Sequence, residues 1–241
     1  MKKNNMLIKA TTGLYAFLML LCSCQQDDYL VDGGKPSPYF DGTVLEFLES
    51  RPDYFRELVA VIEYAGMEET FQNDQITFFA PTDWSIDASM QQLNDYWYNL
   101  QGRDSVTTIY QVKPEVWKEL LSLYIVEDKY LAKDIPQLDT VATDAYPGQA
   151  YVSYNGRPMN IGLVHHDANG IKYAGYRQLL YSYVNDFMQN DMTNAYVATA
   201  DIQPANGVVH VIRFIDHSFG FNARLFIEKA VAAGISDEET R

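Results

Sequence analysis

Residues 76–83 read Ile-Thr-Phe-Phe-Ala-Pro-Thr-Asp, and this stretch decides the fold that we expect. Its first five residues, Ile76–Ala80, are apolar or β-branched, which is typical of a short buried strand. Pro81 fixes φ and cannot donate to a strand ladder, so the strand must end there. Thr82 and Asp83 are N-capping residue types, and we expect them to bond the free amides of the next helix. The stretch therefore predicts a strand, a sharp turn and a helix.

Two helices are predicted before this strand. Thr43 and Glu46 form a capping-box pattern at the start of the first helix. The second helix begins near Asp53, and Gly66 is placed to end it in the left-handed conformation. Its apolar positions follow the 3–4 residue spacing of one buried face: Phe55, Leu58, Val59 and Ile62.

The second half of the chain reads mainly as strands. Asn155-Gly156 and Asn169-Gly170 are the strongest hairpin signals. Residues 206–212 read Asn-Gly-Val-Val-His-Val-Ile, in which a turn dipeptide leads into a β-branched strand. A last helix is predicted from Asn222 to Ala233, before a charged tail.

Residues 76–83 and 206–212 resemble the two signature blocks of the fasciclin (FAS1) domain family. They occur in the family's order, Thr43–Gly66 matches the family's opening helices, and the resemblance spans about residues 40–217. It implies an α+β fold, a FAS1-type β-sandwich wedge with helices packed along one edge. It also implies a structural role for the matching motif residues: Thr77, Phe79, Ala80, Pro81, Thr82, Asp83, Asn206, Gly207 and His210.

The chain departs from the family pattern at three places. FAS1 domains usually carry a Tyr-His pair after the central helix, but here Ile125 follows Tyr124, so adhesion roles tied to that pair are not carried over. Residues 176–196 look like a tyrosine-rich insertion, and a helix after residue 217 lies beyond the usual end of the domain. Exposed aromatic faces can stack on sugars or anchor protein interfaces, so four tyrosines are candidate ligand-binding residues: Tyr176, Tyr181, Tyr183 and Tyr196. The alternative is that they close the edge of the sandwich.

The first 23 residues have the layout of a bacterial lipoprotein signal peptide. A basic start precedes an apolar stretch, residues 14–21, that is too short to span a membrane. The sequence Leu21-Cys22-Ser23-Cys24 resembles a lipobox, so we expect cleavage before Cys24 and a lipid on that cysteine. A plain signal peptide with two incidental cysteines is the alternative.

The residues after the anchor predict where the protein is held. Gln25–Asp28 resembles the acidic export signal of Bacteroidetes surface lipoproteins, which implies an outer-membrane protein that faces the cell exterior. We divide the mature chain into a lipidated cysteine with a flexible tether (24–40), a FAS1 domain (41–217) and a C-terminal helix with a charged tail (218–241).

Composition and spacing argue against several chemistries. The formal charge of −14 would become −17 without the three lysines of the signal peptide, which disfavours nucleic acid as a partner. His165 and His166 are adjacent and would point to opposite faces of a strand, so we predict no metal site there. His210 has no nucleophile or orienting acid at a suggestive spacing, and we expect a core histidine. No catalytic residue and no cofactor is predicted.

The sequence thus predicts a non-enzymatic, lipid-anchored cell-surface FAS1 protein that mediates adhesion or protein–protein binding. Its expected partners are the membrane, through the lipid, and another surface or outer-membrane protein or a glycan. The alternative is an accessory glycan-binding or assembly subunit of an outer-membrane nutrient uptake complex. Residues 176–196 and the additional C-terminal helix motivate that alternative.

Overall fold

The structure of the protein is a computed structural model that describes residues 37–215 and 217–236. The predicted signal peptide, the predicted lipidation site Cys24, residues 25–36 of the predicted tether and the last five residues lie outside the described residues. Within the two described ranges, no helix is long and apolar enough to cross a membrane.

The α-helices of the described residues are numbered here in chain order. They are α1 (Val44–Glu49), α2 (Pro52–Tyr64), α3 (Glu68–Asn73), α4 (Asp83–Asn94), α5 (Pro114–Leu121) and α6 (Ala223–Ala233). The predicted capping box starts α1, because Thr43 Oγ1 accepts from the Glu46 amide at 3.2 Å and Glu46 Oε2 accepts from the Thr43 amide at 2.6 Å. Gly66 follows α2 with φ of +64°, as predicted. Local capping signals therefore set the ends of the opening helices.

The strands form one sheet, and they are also numbered in chain order. They are β1 (Ile76–Ala80), β2 (Ile125–Glu127), β3 (Gln137–Leu138), β4 (Gln149–Val152), β5 (Pro158–His165), β6 (Arg177–Asp186), β7 (Asp191–Ile202) and β8 (Gly207–Ile212). Their spatial order is β2-β1-β8-β7-β6-β5-β3, and β4 also pairs with β5. Strand β1 runs parallel to β8, and β3 runs parallel to β5, whereas the other pairs are antiparallel.

Strand β7 is the point at which the sheet curls, because its two halves pair with different strands. Residues 191–196 pair with β6, and residues 197–202 pair with β8 after register shifts. Such irregularities bend and twist a strand, so the sheet curls instead of lying flat. Helices and sheet share one continuous apolar core. The predicted α+β fold is confirmed.

Residues 176–196, which the sequence analysis interprets as an insertion, are an integral part of the sheet. This segment forms most of the β6–β7 hairpin, and these two strands lie in the middle of the sheet between β8 and β5. Residues 179–184 of β6 are all buried. Because both faces of this strand are covered, the alternation of polar and apolar residues that marks a half-buried strand is missing.

The segment after residue 217 is part of the core. Phe219 and Phe226 are fully buried, and their rings lie 5.3 and 5.2 Å from the ring of Trp117 on α5. The predicted last helix is confirmed as α6, and Asn222 caps it by accepting from the Arg224 amide. The helix that was expected beyond the family domain therefore completes the hydrophobic core.

Candidate binding surface

Residues of the first motif, 76–83, hold the buried strand β1 in the core. The Thr77 hydroxyl donates to the Asp128 carbonyl and accepts from the Tyr130 amide, both at 2.8 Å. Phe79 stacks on Tyr181 of β6 with ring centroids 4.0 Å apart. These contacts tie β1 to the chain after β2 and to the opposite half of the sheet. The structural role that the family resemblance implied for Thr77 and Phe79 agrees with these contacts.

The capping role that we expected for the end of this motif is wrong. Asp83 does not cap its own helix, because its Oδ1 accepts from the Leu58 amide of α2 at 3.0 Å. That amide lies just after Phe55, whose φ of −133° and ψ of 16° interrupt the helical path of α2. Asp83 thus caps the second half of α2 at this kink. Thr82 takes the N-cap position of α4 through its backbone, without a capping hydrogen bond from its side chain.

The second motif combines a turn with packing contacts. Asn206 lies in a turn that the Gly207 amide closes by donating to the Pro204 carbonyl at 3.3 Å, but neither Asn206 nor Gly207 has the positive φ of the expected hairpin turn. The Asn206 side chain accepts from the Val44 amide at 2.8 Å and donates to the Phe71 and Asp74 carbonyls at 3.1 and 3.0 Å. At Gly207 an added Cβ would lie 2.6 Å from the Ile76 carbonyl oxygen. Asn206 joins α1 and α3 to the sheet, and Gly207 allows β1 and β8 to approach.

His210 is a fully buried core histidine, as predicted. Its Nδ1 accepts from the Asp201 amide at 3.1 Å, and its Nε2–H donates to the Tyr130 carbonyl at 3.0 Å. Burial lowers the pKa of His210 to about 4, although the Tyr130 carbonyl and Asp201 oppose that change. With both nitrogens engaged, the ring stays neutral at pH 7 and has no free nitrogen to take a proton from a substrate.

The four candidate tyrosines do not form one ligand surface. Tyr181 is fully buried, and its hydroxyl donates to the Leu123 carbonyl. Tyr183 is buried, with the guanidinium of Arg157 only 4.0 Å from its ring centroid. A core ring cannot stack on an external sugar, so the ligand-binding prediction is wrong for these two residues. Tyr196 is half-buried, and Arg213 lies 5.1 Å from its ring centroid.

Tyr176 is the one of the four that keeps a large exposed surface. Its side chain is 67% exposed and stacks on the His166 ring with centroids 4.0 Å apart. In the described part of the chain, no three His, Cys, Asp or Glu side chains are arranged to hold a metal ion. His166 and Tyr176 therefore remain a local aromatic pair on the surface.

Tyr124 contacts His217, a neighbour that the sequence did not suggest. Ile125 follows it in β2 and is buried opposite Phe78 of β1. The Tyr124 hydroxyl accepts from the Gly220 amide at 2.7 Å and lies 2.9 Å from His217 Nε2. Burial raises the pKa of Tyr124 and lowers the pKa of His217 to about 3. This buried pair pins the C-terminal segment to the core, and its 93-residue separation explains why no local pattern revealed it.

A group of exposed aromatic side chains lies beside the first motif, and sequence reasoning missed it. Trp84, Tyr54 and Phe214 line a cleft of about 650 Å³, which we call the aromatic cleft. Trp84 is 65% exposed, and its ring lies 5.8 Å from that of Phe214. The available signal was helical spacing: α4 buries one stripe that begins at Ser85, and Trp84 falls outside it.

The walls of the aromatic cleft carry an excess of negative charge. Asp53, Asp83 and Asp87 line it together with a single basic residue, Arg56. Burial, together with the charge of Asp83, raises the pKa of Asp87. The same causes, with the charge of Asp87 added, raise the pKa of the neighbouring Glu57. These carboxylates therefore repel one another where water only partly screens them.

Among solved structures, the chain is similar to a FAS1 domain pair from the insect cell adhesion molecule fasciclin I, with 14% identity and a TM-score of 0.36. That match covers 74% of this chain and 45% of the domain pair, so the chain spans less than half of the other's length. No curated protein sequence matches. The fasciclin domain model matches residues 53–215, which is more than half of the sequence, and the chain belongs to the fasciclin domain family.

Proposed function

We propose that this chain is a non-enzymatic, lipid-anchored cell-surface protein that mediates adhesion by binding another surface protein. The family is known for adhesion-type proteins, and its domains are generally non-enzymatic. The single observation that carries the proposal is the aromatic cleft, where Tyr54, Trp84 and Phe214 are exposed together. Large aromatic side chains dominate the energetics of protein interfaces and are costly to leave in water.

The predicted lipid anchor near the N-terminus supports the same proposal. A lipid on Cys24 would hold the domain at the outer membrane, and the polar residues 25–40 would act as its tether. A flexible tether of roughly 15 residues spans about 20 Å on average. That length would let the domain turn its aromatic cleft toward a neighbouring protein without leaving the membrane.

Two measurements test this function. Mass spectrometry of the mature N-terminus should find a diacylated Cys24, and an unmodified cysteine or cleavage elsewhere would contradict the anchor. Cells that display the Trp84→Ala variant should adhere less than cells that display the unaltered protein. Tyr98→Ala is the matched control, because Tyr98 is also an exposed aromatic residue but lies outside the cleft. Equal loss in both variants would contradict a specific role for the cleft.

Tyr176 favours a second candidate, an accessory glycan-binding subunit of an outer-membrane uptake complex. Its exposed ring is the kind of surface that stacks on a sugar. Affinity electrophoresis in polysaccharide gels separates the two functions. Retention that disappears in Tyr176→Ala and persists in Trp84→Ala would favour glycan capture over protein adhesion.

A further inference from the structure

We propose that the aromatic cleft binds a cationic side chain of a partner polypeptide, arginine before lysine, which lies over Trp84 and among the carboxylates of Asp53, Asp83 and Asp87. This inference rests on the proposed adhesive function and deepens it, because it names the chemistry of the partner. The partner is therefore a protein that presents an exposed arginine.

The aromatic wall supplies the first part of the argument. The face of a tryptophan attracts a cation more strongly than any other side-chain ring, at distances up to about 6 Å. Trp84 is mostly exposed, and Phe214 contacts it with an angle of 63° between the ring planes. Tyr54 lines the other part of the cleft. A planar guanidinium can stack on such a ring, whereas an ammonium cannot.

The charge of the cleft supplies the second part. Three carboxylates line it against one guanidinium, that of Arg56, and Glu57 adds a further carboxylate beside it. Burial and the charges of neighbouring carboxylates raise the pKa values of Glu57 and Asp87, although the guanidinium of Arg56 opposes the change. A bound cation would relieve this repulsion, whereas an anion would increase it. The cleft is therefore complementary to a positive ligand.

The third part is independent of charge. Thr82 lines the cleft and is only 6% exposed, and its Oγ1 has no hydrogen-bond partner among the described residues. Buried hydroxyls are almost always bonded, so the unpartnered Oγ1 of this lining residue has unused hydrogen-bonding capacity. Asp83 is held in place by the Leu58 amide. The Asp83 carboxylate is thus positioned before any ligand arrives, which lowers the cost of binding.

The test uses the full chain with 5-fluorotryptophan in place of its three tryptophans. Fluorine NMR reports each ring, and Trp84→Phe assigns the Trp84 signal. The probes are N-acetyl-arginine amide and N-acetyl-citrulline amide, which have nearly the same shape but differ in charge. At constant ionic strength, arginine amide should shift the Trp84 signal to saturation, and citrulline amide should not shift it.

Variants then locate the site. Binding of arginine amide, followed by backbone amide shifts, should weaken about fivefold in Trp84→Leu and about threefold in Asp87→Asn. Glu69→Gln removes a carboxylate from an exposed position of α3 outside the cleft and should change affinity less than twofold. Circular dichroism melts confirm that each variant remains folded.

Three outcomes would overturn the inference: equal shifts with citrulline amide, unchanged affinity in Asp87→Asn, or tighter binding of tetramethylammonium than of arginine amide. The failures of the two proposals are distinguishable. If arginine amide does not bind but Trp84→Ala still abolishes adhesion, the adhesive function stands and the cationic partner is refuted. If arginine amide binds as expected but Trp84→Ala cells adhere normally, the cationic site stands and the adhesive role of the cleft is refuted.

Discussion

At the scale of single residues, the Asn206 side chain contributes to the stability of the N-terminal helices. It makes three hydrogen bonds to backbone groups of α1 and of the α3 end. Asn206→Ala leaves these groups without their partner, and we expect the free energy of unfolding to fall by about 2–4 kcal/mol. Urea unfolding measures the change, and Gln91→Ala, at an exposed helical position, is the control. A loss below about 1 kcal/mol would contradict this role.

The two buried histidines make stability depend on pH. Burial lowers their pKa values to about 4 for His210 and about 3 for His217, below the ordinary value of 6.5. Below pH 6.5, the unfolded chain therefore binds more protons at these two histidines than the folded protein does. The contribution of the neutral histidines to the free energy of unfolding is complete above pH 6.5 and is lost as the pH falls toward 4. We expect the melting temperature to fall by about 10 °C or more between pH 7 and pH 4.5.

His217→Phe tests which groups cause this dependence. The variant keeps an aromatic ring beside Tyr124 and Phe221 but removes the group that titrates. It should lose about 1 kcal/mol at pH 7, where the bond to Tyr124 is missing, and it should lose less stability on acidification than the unaltered protein. Parallel pH profiles for the two proteins would contradict the assignment.

At the scale of single residues, the sequence predicted which side chains are structural better than it predicted what they do. Asp83 and Asn206 were assigned to a helix cap and a turn, which are local tasks. In the structure they bond backbone groups 25 and 162 residues away along the chain. Capping and turn rules describe neighbours in sequence, so they cannot reveal hydrogen bonds that exist only after distant elements have packed.

At the scale of elements, two tyrosines in and beside strand β6 differ in their expected contribution to stability. Tyr181→Ala removes a fully buried ring that stacks on Phe79 and bonds the Leu123 carbonyl. We expect it to cost about 3–5 kcal/mol. Tyr176→Ala, just before the same strand, should change stability by less than about 0.5 kcal/mol, because that side chain is exposed. Thermal unfolding compares them, and similar losses in both variants would contradict the burial pattern.

Elements whose ends are marked by local capping or turn residues could be predicted from the sequence, and the others could not. The capping box at Thr43, the glycine end of α2 at Gly66 and the Pro81 stop after β1 all gave correct boundaries. Strand β6 could not be predicted, because a strand covered on both faces has no alternating pattern. The aromatic cleft was missed for a related reason: its three rings come from α2, α4 and the end of the sheet, and only the tertiary fold brings them together.

At the scale of the whole molecule, the segment after residue 217 decides whether the domain folds. A chain that ends at Ile215 loses Phe219, Phe221 and Phe226, which are all buried. Each buried phenylalanine is worth about 1.5–3 kcal/mol, and the total is comparable with the stability of a typical domain. We expect this truncated chain to lose its cooperative thermal transition.

A point variant in the same segment is the control for that truncation. Arg224→Ala removes only a solvent-exposed ion pair with Glu228 on α6. Such pairs contribute at most about 1 kcal/mol, so the variant should melt cooperatively near the temperature of the unaltered protein. A cooperative melt of the chain that ends at Ile215 would show that residues 1–215 form a complete domain without α6.

The parallel pairing of β1 with β8 also governs when the protein can fold. Each residue of β1 pairs with a residue of β8 that follows about 130 residues later, so this parallel pair cannot form early. If the chain is exported through a narrow pore with its N-terminus first, as the proposed anchor requires, β1 emerges long before β8. The apolar strand can then pair with β2, which follows about 50 residues later, but its parallel partner β8 appears only when nearly the whole chain has crossed. The same strand order would thus delay completion of the sheet inside the cell and favour folding at the destination.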